Sequence, residues 1–334
     1  MRLLILGGTG FLSGTVAQVA HAAGHEVTVF TRGLRPVPPE YRQIVGNRAD
    51  AAAFVATFAA HEFDAVIDCI CYRADEARAA VAAFHGRTGH YVLISTDFVY
   101  GEERTLPIVE DETSTRALNE YGRQKVDCEE IVLGAWRERG FPATVLRPPH
   151  LMGAGGHLGT GSLAGRDPML LDRLAGGHPV VLIDGGQLVI QPVVHRDVAA
   201  ACLATIGKEA TWGQAFNCAG PDVLTSHEYH RIVADLLGVP LRTVSIPSTA
   251  YVAAFPDRAP FAQHRCFDRS KLERATGYRP ATTVRHAIYE MVDWLQANEA
   301  HRPYQPSPTE ARIVALARNF EGELVRCLGG EERA

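Results

Sequence analysis

Near the amino terminus, "LLILGGTGFLSG" (Leu3–Gly14) constrains the fold more than any other stretch of the chain. Four aliphatic residues form a strand, Gly7 and Gly10 follow at once, and a helical pattern begins after them. Glycine permits a tight turn and lets backbone N–H groups approach a pyrophosphate at the helix N-terminus. A glycine pattern alone is weak, but between a strand and a helix it reads as a dinucleotide-binding turn. Gly7, Thr9, Gly10, Phe11 and Leu12 are therefore cofactor candidates. The third glycine expected in such a turn is replaced by Ser13, with Gly14 beside it.

The first half of the chain continues as short apolar runs alternating with helical patterns, which predicts a parallel sheet with crossover helices. Strands are expected over Leu3–Leu6, Glu26–Phe30, Ile44–Val45, Ala65–Cys71, Tyr91–Ser95 and Thr144–Arg147. Helices are expected over Gly14–Ala23, Phe54–Ala60, Asp75–Phe84 and Glu120–Arg139. Beyond residue 150 the texture is less regular. Gly153–Gly165 is glycine-rich and reads as a mobile loop. Runs at Val180–Ile183 and Val189–Val194, and helices at Val198–Ile206, Ser226–Leu237 and Val284–Gln296, suggest a smaller interleaved lobe. The expected division is a sheet domain over 1–150 with 186–215 returning to it, a substrate lobe over 151–185 and 216–298, and a helical tail over 299–334. In that tail Ile313, Leu316, Ala317, Phe320, Leu324 and Leu328 share one helical face, which predicts packing on the body or on a second subunit.

Bulk properties exclude several classes of function. A formal net charge of -5 argues against a general nucleic-acid binder. The seven cysteines are scattered and odd in number, so a disulfide framework is not expected. Cys69 and Cys71 lack the second ligand pair that a zinc site needs and read as buried strand residues. No run is long enough for a membrane span, and the apolar start is too short for a signal segment. The expectation is a cytoplasmic protein without metal.

Two stretches carry the chemistry. "LISTDFVYG" (Leu93–Gly101) is a strand ending in Ser95, Thr96 and Asp97; "YGRQK" (Tyr121–Lys125) places a tyrosine and a lysine on one helix face. A phenol must fall by about 3 units from its ordinary value near 10, about 4 kcal/mol, to exchange a proton near neutrality. A neighbouring ammonium is expected to supply that shift. Ser95 or Thr96, at the carboxyl end of a parallel strand, would hold a substrate oxygen. The arrangement predicts hydride transfer to or from a nicotinamide, with Tyr121 moving the proton. Strand two ends in Thr31 and Arg32, with no acid for a ribose 2′-hydroxyl, so the reading leans to NADP over NAD. Asn47 and Arg48 sit where an adenine ring could be held. The end of strand four adds Cys69 and Cys71 to the cofactor candidates and Tyr72 to those facing substrate.

With these motifs in place, the chain resembles the extended short-chain dehydrogenase/reductase family of nucleotide-sugar epimerases, dehydratases and reductases. "GGTGFLSG", "STDFVYG", "YGRQK", "LRPPHLMG", "VVHRDVA", "FNCAG" and "FDRSKLERATGYRP" carry the resemblance, from Met1 to about Asn298. It implies an α/β fold with a Rossmann-type doubly wound parallel sheet, a catalytic trio of Thr96, Tyr121 and Lys125, and dimerisation through a two-helix face. Lys125 and Pro148 would border the cofactor; Phe98, His150, Gln191 and Arg265 would face the substrate. Asp97 could protonate a leaving hydroxyl, but Phe98 stands where the dehydratases carry a glutamate. Ile190 stands where an arginine usually clamps a nucleotide diphosphate. "DCICYRADEARAAV" and "QPVVHRDVA" resemble a branch that includes chloroplast stem-loop RNA-binding proteins. The leading expectation is an NAD(P)-dependent oxidoreductase or epimerase acting on a carbinol or ketone of a sugar or nucleotide sugar. The alternatives are a sugar-nucleotide dehydratase with a relocated base and a non-catalytic dinucleotide sensor or RNA binder.

Overall fold

The structure, a computed structural model, describes residues 1–102, 105–110 and 117–330. Strands β1 (Arg2–Leu6), β2 (Glu26–Thr31), β3 (Arg42–Val45), β4 (Ala65–Asp68), β5 (Tyr91–Ile94) and β6 (Ala143–Arg147) join Gln214–Asn217 in one seven-stranded sheet. Its order is Gln214–Asn217, β6, β5, β4, β1, β2, β3, and every pairing is parallel. Helices α1 (Phe11–Ala22), α2 (Ala51–Phe58), α3 (Ala74–Phe84) and α4 (Glu120–Arg139) make the crossovers. Leu4 and Leu6 enter one core with the Phe30, Phe54, Phe58 and Phe84 rings, whereas Leu3 and Ile5 enter another with Val16, Val27 and Val29. This alternation between two dry faces explains why β1 is apolar throughout. Each such side chain contributes about 1.5–3 kcal/mol by burial.

Several element limits differ from the sequence reading for local reasons. The fourth strand stops at Asp68 rather than Cys71, because Asp68 Oδ1 accepts the Ile70 N–H and turns the chain. Cys69 and Cys71 therefore lie beyond the strand. Helix α1 starts at Phe11, three residues early, with the Ser13 hydroxyl accepting the Gly10 N–H at 3.1 Å. Helix α2 starts at Ala51, capped by the Asp50 carboxylate on the Ala53 N–H. The Val189–Val194 run divides at Pro192: Val193–Val194 pairs with Leu151–Met152, and Val189–Ile190 pairs with Leu224–Thr225.

The chain divides into two compact units. The first comprises Met1–Gly153, Gln191–Val223 and Arg265–Val284; thus the returning segment is 191–223 where 186–215 was expected, and Arg265–Val284 joins the sheet unit too. The second comprises Ala154–Ile190, Leu224–His264 and Arg285–Ala334. Within it Val180–Ile183 pairs in parallel with Thr243–Ile246. The glycine-rich loop is pinned rather than splayed into solvent: Leu158, Thr160 and Ser162 are buried, and the Asp167 N–H donates to the Leu158 carbonyl. Arg173 is buried between Asp167 and Glu310, with the Tyr304 ring 4.6 Å from its guanidinium. That cluster roots a helix over Pro308–Gly330, whose Leu316, Phe320, Leu324 and Leu328 are exposed. Ile313 and Ala317 of the same face are partly buried. The last four residues of the expected tail lie outside the described residues.

Candidate active site

Every residue singled out for catalysis or cofactor binding belongs to the first unit. Helix α4 starts where Asn119 Oδ1 accepts the Gly122 N–H at 2.8 Å, which sets Tyr121 in the first turn. Gly122 itself is a fitting point. A β-carbon there would lie 2.2 Å from the Phe98 carbonyl oxygen, so only glycine lets α4 seat against the turn Asp97–Val99. One turn on, Lys125 is buried and its Nζ donates to the carbonyls of Cys71 and Ile94, both at 2.7 Å. The ammonium thus ties the loop after β4 to the end of β5, with the Tyr72 ring 5.1 Å from it.

Tyr121 remains 39% exposed, in the first turn of α4. Its pKa is pushed up to about 12, first by burial and then by Tyr72 and Asp97, with the Thr96 side chain pulling the other way. The lowering expected from Lys125 is therefore not seen in the chain by itself: two of the ammonium's donors are directed to carbonyls. The Tyr72 and Phe98 rings flank Tyr121, with centroids 6.5 and 6.1 Å away.

Of the two hydroxyl candidates, Thr96 Oγ1 accepts the Phe98 N–H in the turn against α4, whereas Ser95 is engaged elsewhere. Ser95 Oγ donates to Glu129, which also accepts from Arg147 Nη2 at 2.6 Å, so Ser95 belongs to a buried ionic network. The Asp97 carboxylate lies 3.3 Å from Arg265 Nη1, and both side chains are buried. Arg265 is therefore anchored to Asp97 rather than turned outward. Gln191 bridges main chain, its amide donating to the Gly220 carbonyl and its oxygen accepting the Phe267 N–H, so its substrate assignment is not supported. His150 is buried, and its carbonyl accepts the Val193 N–H. The Pro148 carbonyl accepts the Asp97 N–H at 3.3 Å, which fixes that loop to the turn Asp97–Val99.

The glycine turn fits a pyrophosphate. Gly7 and Gly8 have φ of 109° and 112°, and a β-carbon at Gly8 would meet Val29 at 2.5 Å. The amides of Phe11 and Leu12 open the first turn of α1, where no carbonyl within the helix can satisfy them. Arg32 is exposed just past β2, and the Thr31 hydroxyl accepts from the Gly33 N–H and Gln43 Nε2. The sequence reading passed over Arg35, whose Nη1 donates to the Thr9 carbonyl at 3.1 Å across the turn; its signal is the second arginine of "TRGLR". Asn47 is exposed and its Oδ1 accepts the Ala49 N–H. Arg48 turns inward instead. It pairs with Asp68 at 2.7 Å and lies over the Phe54 ring, so adenine contact by its side chain is not supported. Cys69 is partly buried; Cys71 is fully buried and contributes its carbonyl to Lys125.

A family model described as NAD dependent epimerase/dehydratase family matches residues 3–219. The chain is 32% identical over 330 residues to a protein named 2′-dehydrokanamycin reductase from Streptomyces kanamyceticus, covering 95% of this chain and 92% of that one. It is 25% identical over 254 residues to the chloroplast stem-loop binding protein of 41 kDa b from Arabidopsis thaliana, covering 72% and 64% of the two chains. Among solved structures, UDP-glucose 4-epimerase of Thermotoga maritima superposes with a TM-score of 0.73 at 18% identity, over 90% of this chain and all of that one.

Proposed function

The chain belongs to the NAD dependent epimerase/dehydratase family, and from that premise we propose that it reduces a ketone on a sugar bearing no nucleotide, using NADPH. The observation that carries this reading is Tyr121 in the first turn of α4 between the Tyr72 and Phe98 rings, with Lys125 one turn on donating to the Cys71 and Ile94 carbonyls. Bound nicotinamide would supply the hydride. In our reading Thr96 holds the carbonyl oxygen, Tyr121 donates its proton to that oxygen as it becomes an alkoxide, and Lys125 keeps the loops in register. The amides of Phe11 and Leu12 hold the pyrophosphate, and Arg32 accounts for the preference for a 2′-phosphate. Tyr72 and Phe98 form the aromatic walls flanking Tyr121.

Two features favour net reduction of a free sugar. Phe98 replaces the carboxylate that elimination would need, and Asp97 is committed to Arg265. Ile190 is buried opposite Leu224, offering no cation to a diphosphate. The 32% relative, whose name describes a reductase of a kanamycin ketone, supports an amino-sugar ketone as the substrate class.

The test is a panel of keto-sugars, oxidised aminoglycosides and nucleotide keto-sugars, followed by loss of reduced-nicotinamide absorbance with product analysis. The expected result is one alcohol formed per NADPH consumed, selectively without nucleotide. Tyr121→Phe should lose roughly 100-fold or more in turnover while NADPH affinity stays within twofold. Conversion without net NADPH consumption would establish an epimerase, and an unimpaired Tyr121→Phe enzyme would remove the proposed acid.

A further inference from the structure

We propose that the helix Pro308–Gly330 is a self-association surface, on which a second copy of this chain packs antiparallel. Its root is fixed rather than loose. Glu310 is buried against Arg173, and Ser307 caps the first turn through its hydroxyl on the Glu310 N–H. Beyond the root, Leu316, Phe320, Leu324 and Leu328 are 58%, 66%, 44% and 68% exposed.

The apolar spacing has the period of a helix–helix seam. Ile313, Ala317, Phe320, Leu324 and Cys327 advance by steps of four and three residues, with Leu316 and Leu328 bordering them. Such a repeat averages 3.5 residues and keeps one stripe facing a partner helix. Ile313 and Ala317 are partly buried, whereas Phe320, Leu324 and Cys327 are left in water, at a cost of about 25 cal/mol per Å² of apolar surface.

The charges choose the occupant. Flanking and opposing the stripe are Arg312, Arg318 and Arg326 with Glu321 and Glu323, an even mixture rather than the cationic face that suits a lipid surface. In an antiparallel pair centred near residue 318, Leu316 meets the second copy's Phe320 and Ile313 meets its Leu324. Arg312 then lies beside the second copy's Glu323, and twofold symmetry repeats the contact. A parallel pair aligns equivalent residues and offers no such cation–carboxylate match along this flank.

The experiment compares solution mass and cross-linking for the full-length chain. Phe320→Glu/Leu324→Glu changes two exposed side chains, so NADPH binding should be unaltered while the native mass halves. Ala317→Cys, close to the twofold axis, should form a disulfide-linked pair on oxidation. The native Cys327 should not, because nine residues from the axis on each helix separate the two copies by about 27 Å. An unchanged mass in the double variant overturns the proposal. Cross-linking of the wild type through Cys327 overturns the antiparallel orientation. Binding of the wild type to phosphatidylcholine vesicles, abolished in the double variant with no change of mass, assigns the stripe to a membrane surface instead.

Discussion

Gly122→Ala should largely abolish turnover while leaving the protein folded and able to bind dinucleotide. The added β-carbon would begin 2.2 Å from the Phe98 carbonyl oxygen and 2.9 Å from the Ala117 β-carbon. An ordinary carbon–oxygen contact needs roughly 3.3 Å, so the start of α4 must back away by about 1 Å. The stability effects oppose one another. Overpacking costs about 1–3 kcal/mol, whereas replacing a helical glycine by alanine stabilises by up to about 1 kcal/mol. The remaining loss of about 1 kcal/mol lowers Tm by only about 1–2 °C in a chain this long. The same displacement moves the Tyr121 phenol relative to Thr96, and a misplacement of about 1 Å reduces catalysis on the order of 100-fold. Gly134→Ala on the same helix is the control, because its β-carbon would meet only an Arg137 terminal nitrogen at an ordinary 3.7 Å. Turnover, NADPH affinity and Tm should be measured for both variants. Wild-type turnover in Gly122→Ala would refute the view that this close approach sets the catalytic geometry.

Arg32→Ala should weaken NADPH binding roughly 10- to 100-fold, the effect of one charge-assisted hydrogen bond, with little change for NADH; a dinucleotide titration checks this, and equal losses for both cofactors would remove Arg32 from the 2′-phosphate. His90 and His230 predict acid lability. Burial lowers each imidazole to about 4, against a hydrogen bond that raises it. In the unfolded chain they take up protons below the ordinary value near 6.5, so stability present above that pH is lost as it falls from about 6.5 to 4, by up to about 3 kcal/mol per histidine. Tm followed over this range should fall less steeply in His90→Asn than in the wild type.

Short-range patterns were well read from sequence because local chemistry fixes them. The helix over Glu120–Arg139 was placed at its observed limits: Asn119 caps its start, Gly140 closes it at positive φ, and Tyr121 and Lys125 fall on one face without further help. The parallel sheet followed from runs that two buried faces require to be apolar. Ser95, Arg48 and Gln191 were misread for the opposite reason. Each is polar, lies at a strand end where ligands bind, and is claimed by a partner remote in sequence: Glu129, Asp68 and the main chain of Phe267 respectively. Spacing cannot reveal such pairings. Gly122 was visible in "YGRQK", but its role depends on the Phe98 carbonyl, which only the folded chain brings against it.

Whether this site could eliminate water depends on more than the absent carboxylate. Phe98→Glu supplies a carboxylate at the dehydratase position, yet Arg265 already lies over that ring, its guanidinium carbon 5.8 Å from the centroid. A glutamate there would reach the same cation that holds Asp97 at 3.3 Å. It would form a second buried ion pair, at which opposite charge favours the ionised form and its oxygens are engaged as acceptors. A base held this way is badly aimed for removing a proton from carbon, and Asp97 remains unavailable as an acid. The single variant should therefore yield only the alcohol, with reduced turnover, when products are analysed by mass spectrometry. A product lighter by one water from Phe98→Glu alone would refute this account and place the barrier to elimination at residue 98 rather than in the Asp97–Arg265 pair.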